Sequence, residues 1–266
     1  MAALTQSLLA VARLLRTGLH VLHGMLVMTR FGAMSPAQRH ARIGWWSAGL
    51  VRSMGLQLQV VGLSRPGAAL VVANHVSWLD IAAIHAAAPH VRFVSKSDVL
   101  AWPLLGWLIR NAGTLFIERE RKRDAVRVVH AVAEALVAGE SVAVFPEGTT
   151  GLGPELLPFH ANLLQAAVAT GTPVQPVALR FDDESGPFSL AVTFVGQTTL
   201  LQSIWRVACA RGLAVRVELL PPMGSRHADR RALAAHLREV LGERLHAGSS
   251  GGPSIEIAPF STGVRH

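Results

Sequence analysis

After residue 56, hydrophobic positions recur in short runs rich in β-branched residues, and several of these runs are separated by alanine- and leucine-rich segments with helical spacing. The runs predict β-strands at 56–62, 69–74, 91–96, 113–119, 141–148, 173–181, 190–196 and 213–220. The other segments predict α-helices at roughly 79–88, 100–111, 123–138, 160–169 and 228–245. Strands that alternate with helices indicate an α/β fold with a mixed, largely parallel sheet flanked by helices.

The N-terminal region has a different pattern, in which apolar residues dominate and basic residues keep to one side. At about 100° per residue, a helix over 4–30 places one stripe of basic side chains along its surface: Arg13, Arg16, His20, His23 and Arg30. Two interpretations are open for this helix. It either packs on the core of its own domain or lies in a membrane interface, alone or as part of a hairpin. The composition favours the interface, with the apolar face among acyl chains and the basic stripe at the headgroups.

A second helix is predicted over 36–54. It begins with the sequence Ser-Pro-Ala-Gln, which places Pro36 at a favoured helix start. It also carries Trp45 and Trp46, a residue type that is common both at membrane interfaces and in protein cores. This helix therefore fits the same membrane-associating region as the first.

The 266 residues are enough for one large α/β domain with short extensions. We expect residues 1–54 to form a helical membrane-anchoring segment and residues 55–246 to form the α/β domain. Residues 247–266 are rich in Gly, Ser and Pro, which predicts a flexible tail. No signal peptide is expected, because no basic residue precedes Arg13. The single cysteine, Cys209, excludes an internal disulfide and a cysteine-based metal cluster.

Composition and charge point to a membrane surface as a partner. Half of the chain is hydrophobic, only 16% is charged, and the net charge is +8. The best candidate for a spanning helix, 17–29, has 13 residues, fewer than the roughly 18–20 that a bilayer requires. An oily composition combined with positive charge favours an anionic membrane as the partner. Nucleic acid is disfavoured, because the chain has no Tyr and no groove-reading motif.

The segment "VVANHVSWLDIAAIHAAAP" (71–89) contains a candidate catalytic pair, His75 and Asp80. Within one regular helix the two side chains would point about 140° apart and could not meet. They can meet if His75 lies in the loop after a strand and Asp80 in the first turn of the next helix, with Ser77 as the N-cap. The alternative is a capping box from Ser77 to Asp80, in which His75 only packs.

Two further polar segments follow predicted strands. The segment "GTLFIERERKR" (113–123) places Arg119 after a strand, where a guanidinium suits either a phosphate or a solvated strand end. The segment "VAVFPEGTTG" (142–151) ends an apolar strand in a tight turn whose N–H groups suit an anion. Open α/β sheets bind ligands at the carboxyl ends of their strands. Both segments and the His75 loop are therefore predicted to converge on one edge of the sheet.

Four blocks, taken in order along the chain, resemble the glycerophospholipid acyltransferase family, to which the bacterial 1-acylglycerol-3-phosphate acyltransferases belong. The blocks are "NHVSWLD", "GTLFIER", "FPEGT" and "PVQPVAL". Each block alone is common, and it is the ordered set that carries the resemblance, which extends over roughly residues 56–240. The resemblance implies an acyltransferase without a cofactor, in which acyl-CoA or acyl carrier protein is the co-substrate.

The resemblance also implies a role for each matching residue. His75 would be the general base, Asp80 would hold its ring, and Arg119 would bind the phosphate of the acceptor. The residues that would bind the acceptor or shape its site are Gly113, Phe116, Arg119, Glu147, Gly148, Thr149 and Pro176. Two departures bear on the identity of the acceptor. Many relatives have an arginine in place of Thr150, and a Phe-Lys-x-Gly sequence in place of residues 159–162.

The expected reaction transfers a fatty acyl group to the free hydroxyl of lysophosphatidic acid, giving phosphatidic acid. No serine nucleophile is needed, because the substrate hydroxyl attacks while a histidine takes its proton. Two alternatives stay open: another lyso-lipid acceptor, such as a lyso-ornithine lipid, and a catalytically silent membrane-binding homologue. No metal is expected, because the 12 histidines are dispersed and no His-Glu-x-x-His sequence occurs. The expected location is the cytoplasmic face of the inner membrane, with attachment through the N-terminal helices.

Overall fold

The computed structural model describes residues 2–96, 115–117 and 122–247. Its α-helices are α1 (Ala2–Met28), α2 (Pro36–Ser53), α3 (Leu79–Ala87), α4 (Lys122–Val137), α5 (Gln165–Thr170), α6 (Leu200–Cys209) and α7 (Arg230–Ala247). Its strands are β1 (Gln57–Val61), β2 (Leu70–Ala73), β3 (Val91–Lys96), β4 (Leu115–Ile117), β5 (Ser141–Val144), β6 (Val174–Asp183), β7 (Gly186–Pro187) and β8 (Ala214–Leu219). Short 3-10 helices lie at Phe31–Ala33 and Ala161–Leu164.

The strands form one sheet in the order β1-β8-β6-β2-β5-β3-β4, with β7 paired to β6. All neighbouring pairs are parallel except β6–β8 and β6–β7. The mixed, largely parallel sheet predicted from the sequence is therefore confirmed. Because β2, β3, β4, β5 and β6 run in one direction, their carboxyl ends share one edge of the sheet.

Helices cover both faces of this sheet because its central strands are apolar on both sides. Every residue of β2 and of β5 is buried, as expected for parallel strands between two helical layers. Residues alternate along β2: Val71 and Ala73 belong to the core that includes residues of α2, α3 and α6, whereas Leu70 and Val72 belong to the core with α4, α5 and α7.

The structure departs from the sequence prediction just before residue 200. The strand predicted at 190–196 is a loop. The Phe194 N–H donates to the Val76 carbonyl at 3.1 Å, and the Thr150 hydroxyl donates to the Phe194 carbonyl. The loop thus bonds to two other loops rather than to a strand. Helix α6, which the pattern does not predict, follows it and begins with a capping box of Thr199 and Gln202.

Other predicted elements keep their type and differ in extent. The strand predicted at 141–148 ends at Val144 and leads into the turn that holds Pro146. The helix predicted at 160–169 is a 3-10 helix followed by α5. The strand predicted at 113–119 is described only as β4, and the helix predicted at 100–111 lies outside the described residues.

Two residues of the basic stripe, Arg13 and Arg16, bind the protein's own backbone, whereas the sequence favoured lipid headgroups as the partners of the stripe. Arg13 donates to the Ala208 and Ala210 carbonyls at the end of α6, at 2.9 and 2.5 Å. Arg16 donates to the Ser53 carbonyl at the end of α2, at 2.8 Å. Helix C-termini leave carbonyl groups without intrahelical partners. These arginines supply the missing hydrogen bonds and hold α1 against the domain.

The apolar side of α1 faces outward. Its exposed residues are Leu8, Leu9, Val11, Leu15, Leu19, Leu22 and Leu26. The opposite side contacts α2, where the His20 ring stacks on Trp46 and Nε2 lies 2.8 Å from the Trp46 carbonyl. Within the part of the chain that the structure describes, no helix combines the length and the apolarity needed to cross a bilayer.

Candidate active site

The contact between His75 and Asp80 is present and joins a loop to a helix. His75 follows β2 by two residues, and Asp80 is the second residue of α3. His75 Nδ1 lies 2.7 Å from Asp80 Oδ2. This is the arrangement in which the sequence allows the two side chains to meet, and that geometric prediction is confirmed.

Asp80 also organises the start of α3. The carboxylate is fully buried, and its Oδ2 accepts hydrogen bonds from the N–H groups of Val76 at 2.7 Å and Ser77 at 2.9 Å. Asp80 Oδ1 makes no hydrogen bond with the described residues. Since Oδ2 can only accept from Nδ1, the proton of a neutral His75 lies on Nδ1, and Nε2 carries the free lone pair.

Ser77 is not the N-cap of α3, in contrast to the sequence prediction. The N-cap position is Trp78, because the helix begins at Leu79. Ser77 Oγ accepts only a long contact of 3.4 Å from the Leu79 N–H. The capping function belongs instead to the Asp80 carboxylate, which takes up the N–H groups in the turn that precedes the helix.

The backbone of His75 is fixed from both sides by the turn after β5. Its N–H donates to Glu147 Oε1 at 2.7 Å, and its carbonyl accepts from the Gly151 N–H at 2.8 Å. The imidazole ring stacks on Phe145, with centroids 4.0 Å apart and planes at 11°. Asp80, the turn and the aromatic face together leave the ring little freedom to rotate.

Glu147 uses both carboxylate oxygens inside the protein. Oε1 accepts from His75, and Oε2 accepts from the Leu157 N–H at 2.9 Å. Burial raises the pKa of Glu147 above its ordinary value, while the N–H groups of His75 and Leu157 act in the opposite direction. The side chain therefore joins the loop after β2 to two parts of the loop after β5 at the base of the site.

Gly148 and Thr149 form the exposed part of this turn. Gly148 has φ = 73°, a conformation that favours glycine, and an added Cβ would lie 3.1 Å from the His160 ring. Thr150 faces inward and donates to the Phe194 carbonyl. The turn thus offers backbone groups next to His75, while Thr150 fastens the neighbouring loop.

Two of the remaining predicted site residues, Phe116 and Pro176, lie on strands of the sheet. Gly113 and Arg119 lie outside the described residues. Phe116 is the central residue of β4, at the edge of the sheet. Pro176 is buried in β6 opposite Val72, so it lies within the sheet rather than at the edge where the loop after β2 emerges.

Sequence reasoning gives no site role to two residues that shape the loop. The Asn74 side chain binds both backbone groups of Leu179 in β6, accepting at 2.8 Å and donating at 2.9 Å. Phe145 supplies the ring beneath His75. Their positions in the sequence could have indicated a site role, because Asn74 directly precedes His75 and Phe145 begins the "FPEGT" block.

No metal site emerges from the described coordinates. Across residues 2–96, 115–117 and 122–247, no three histidine, cysteine, aspartate or glutamate side chains are grouped so that they could hold an ion.

Comparison with known proteins adds to this geometry. The sequence profile of a family described as Acyltransferase matches residues 57–180. The chain is 39% identical to the lyso-ornithine lipid O-acyltransferase of Pseudomonas aeruginosa, over 74% of this chain and 75% of that protein. It is also 39% identical to the 1-acyl-sn-glycerol-3-phosphate acyltransferase of Neisseria meningitidis serogroup B, over 71% and 73% of the two chains.

A solved structure has a similar fold. The 1-acyl-sn-glycerophosphate (LPA) acyltransferase of Thermotoga maritima superposes with a TM-score of 0.72. The superposition covers 95% of this chain and 100% of that one, at 20% identity. This likeness supports the arrangement of sheet and helices described above.

Proposed function

This chain belongs to the acyltransferase family, and from that membership we propose that it transfers a fatty acyl group from an acyl thioester to the free hydroxyl of a lyso-lipid. Lysophosphatidic acid is the first proposed acceptor, which makes phosphatidic acid the product. The acyl donor is acyl-CoA or acyl carrier protein. No further cofactor takes part in the proposed reaction.

The pairing of His75 with Asp80 is the observation that supports this reaction best. Nδ1 is engaged by the buried carboxylate at 2.7 Å, and the His75 side chain is 20% exposed, so Nε2 is the nitrogen that a substrate can reach. A lipid hydroxyl is a weak nucleophile at neutral pH, and a positioned imidazole accelerates its attack by roughly 10²–10⁴-fold.

The proton follows a closed path in this mechanism. Nε2 takes the hydroxyl proton as the acceptor oxygen bonds to the thioester carbonyl carbon. Collapse of the tetrahedral adduct then breaks the carbon–sulfur bond, and the same proton passes to the sulfur, which leaves as a thiol. Asp80 keeps Nδ1 protonated and stabilises the imidazolium that forms between the two steps.

A lyso-ornithine lipid is the second proposed acceptor, and two observations favour it. The relative from P. aeruginosa that carries this name is as similar to the chain as the Neisseria enzyme is. In addition, the position that is an arginine in many relatives is Thr150 here and therefore offers no cation. Its hydroxyl donates to the Phe194 carbonyl. An acceptor without a phosphate monoester needs fewer cations.

The outward apolar face of α1 supports a membrane location for the site. Seven large apolar side chains of α1 are exposed, and folded proteins rarely leave a contiguous apolar patch of this kind without a partner. Lyso-lipid acceptors reside in bilayers. We propose that this face enters the headgroup–acyl boundary at the cytoplasmic side of the inner membrane while Arg13 and Arg16 hold the domain to the helix.

Acyl transfer with two competing acceptors tests the proposal. The full chain in detergent micelles receives labelled oleoyl-CoA with lysophosphatidic acid and a lyso-ornithine lipid at equal concentration, and a sample without acceptor measures thioester hydrolysis. We expect acceptor-dependent lipid product, with Ser77→Ala as active as the unmodified protein because no serine is acylated. Transfer to neither acceptor would overturn the proposed function.

A further inference from the structure

A group of arginines lies on the face of the sheet opposite to the His75 loop. Arg180 of β6 and Arg216 of β8 are direct cross-strand partners. Together with Arg244 of α7 they line a small pocket that also contains Glu218 and the apolar residues Ala178 and Leu245. Two like charges in register on neighbouring strands repel each other, so this arrangement requires compensating anions.

Arg216 and Arg244 at this pocket depend on the same described carboxylate. Arg180 pairs with Asp182 at 2.9 Å. Arg216 and Arg244 share the single carboxylate of Glu218, each with its Nε 3.5 Å from one carboxylate oxygen. Among the residues that the structure describes, the two guanidinium groups of Arg216 and Arg244 thus have one carboxylate between them.

The hydrogen bonding around Arg216 is incomplete as well. Its side chain is 18% exposed, and its buried Nε makes no hydrogen bond with the described residues. The 3.5 Å contact with Glu218 brings charges together without the geometry of a hydrogen bond. A buried donor without an acceptor is unfavourable, and an oxyanion at the pocket would supply the acceptor.

The position of the pocket relates it to the active site. Arg180 follows Leu179, whose backbone binds the Asn74 side chain next to His75. The pocket therefore lies at the same end of the sheet as His75. Its walls Ala178 and Leu245 belong to the core on the α7 side, whereas the residues beside His75 pack on the other side. A ligand bound there would not occupy the acceptor site.

We propose that Arg216 and Arg244 bind a phosphoryl group, and that this group belongs to the acyl-thioester donor. Guanidinium groups offer forked pairs of donors that match phosphoryl oxygens. In a CoA thioester, a long flexible arm separates the phosphoryl groups from the reacting carbonyl, so the two ends can occupy opposite sides of the sheet edge. The assignment to the donor rests on the proposed function, whereas phosphoryl binding itself does not.

Binding of CoA and of inorganic pyrophosphate, measured by titration calorimetry on the full chain, tests the proposal without requiring acyl transfer. We expect Arg216→Met and Arg244→Met each to weaken CoA binding at least roughly tenfold, as removal of hydrogen bonds to a charged group does. Pyrophosphate should compete with CoA. The matched control is Arg231→Met, an exposed arginine at the start of the same helix, which should bind CoA like the unmodified protein.

Folding of the variants is checked by circular dichroism. Arg244 is 51% exposed, so its variant carries the test if Arg216→Met unfolds. Equal CoA and pyrophosphate affinity in both variants and the unmodified protein would overturn the site. Weaker pyrophosphate binding in Arg244→Met, together with a raised KM for lysophosphatidic acid and unchanged CoA binding, would support a phosphoryl site but overturn its assignment to the donor. A failure of acyl transfer with intact CoA binding would count against the proposed function alone.

Discussion

The His75 N–H donates a 2.7 Å hydrogen bond to Oε1 of Glu147, a residue 72 positions further along the chain. The same carboxylate accepts from the Leu157 N–H through its other oxygen. A buried acid therefore holds the proposed general base through its backbone, while Asp80 holds it through its ring. Both carboxylates of the site are positioned by the protein's own donors.

Glu147→Gln should reduce kcat by roughly 10- to 100-fold, because an amide nitrogen would face one of the two backbone N–H groups and displace the loop by a fraction of an ångström. The unfolding free energy should fall by roughly 1–3 kcal/mol. Kinetics and urea unfolding check both effects. Glu155→Gln, an exposed position in the same loop, is the control and should change neither.

The same variant should alter the pH dependence of acyl transfer. Burial raises the pKa of Glu147, and only the carboxylate form accepts from both N–H groups. As the pH is lowered, the activity of the unmodified protein should therefore begin to fall at a pH above the ordinary pKa of a glutamate. A pH–kcat profile of Glu147→Gln should lose the part of the acid fall that protonation of Glu147 causes. An unchanged profile would contradict the positioning role.

Asp80→Asn should lower kcat by roughly 10²–10⁴-fold with little change in KM, because the amide neither fixes the Nδ1–H tautomer nor stabilises an imidazolium. Steady-state kinetics with an acyl-CoA donor provide the measurement. Asp229→Asn is the matched control, since it makes the same chemical change at an exposed helix start. Full activity in Asp80→Asn would show that the contact with His75 is only structural.

Membrane binding should depend on the outward face of α1. Replacing Leu15, Leu19 and Leu22 with alanine removes apolar area from side chains that are 66, 69 and 56% exposed. Their loss should weaken sedimentation with anionic vesicles by at least roughly tenfold while leaving stability intact. Leu63→Ala and Val137→Ala, at more exposed positions that are distant in sequence, should leave vesicle binding unchanged. Equal binding by the triple variant would exclude this face as the contact.

A buried histidine gives the fold a defined acid sensitivity. Burial lowers the pKa of His85 from 6.5 to about 4, and the neutral ring contacts the Val91 carbonyl through Nε2 at 3.0 Å. In the unfolded chain His85 binds a proton below about pH 6.5, whereas in the folded chain it stays neutral down to about pH 4. Stability should therefore fall as the pH drops through this window, by roughly 3 kcal/mol in total.

Urea unfolding at several pH values checks this prediction, with His85→Gln as the comparison. The glutamine can keep a hydrogen bond to Val91 but takes up no proton, so its stability should vary less between pH 6.5 and 4. Parallel pH dependence in the two proteins would show that other groups cause the acid sensitivity.

The sequence was informative where local geometry decided the outcome. The strand-to-helix placement of His75 and Asp80 follows from helix geometry alone, since only that placement lets the side chains meet. The alternation of strands and helices likewise predicted the sheet. The direction of the α1 stripe could not be predicted this way. A polar face suits lipid headgroups and unsatisfied helix carbonyls equally well, and Arg13 meets carbonyls at the end of a helix that the pattern does not reveal.

The loop at 190–196 illustrates a second limit. Its alternating apolar residues fit a strand, yet Phe194 bonds to Val76 and Thr150 from two other loops. Such contacts depend on how distant segments meet, which single-sequence periodicity does not record. For the same reason, the hydrogen bond from the His75 N–H to Glu147 could not be predicted from the sequence.

His75→Ala tests the central claim most directly. Initial rates of acyl transfer from labelled oleoyl-CoA should be compared for this variant and the unmodified protein, each with its folded state verified by circular dichroism. We expect a folded variant whose kcat is lower by roughly 10²–10⁴-fold. A folded His75→Ala with unchanged kcat would contradict it, and would reduce the His75–Asp80 contact to the packing of a helix start.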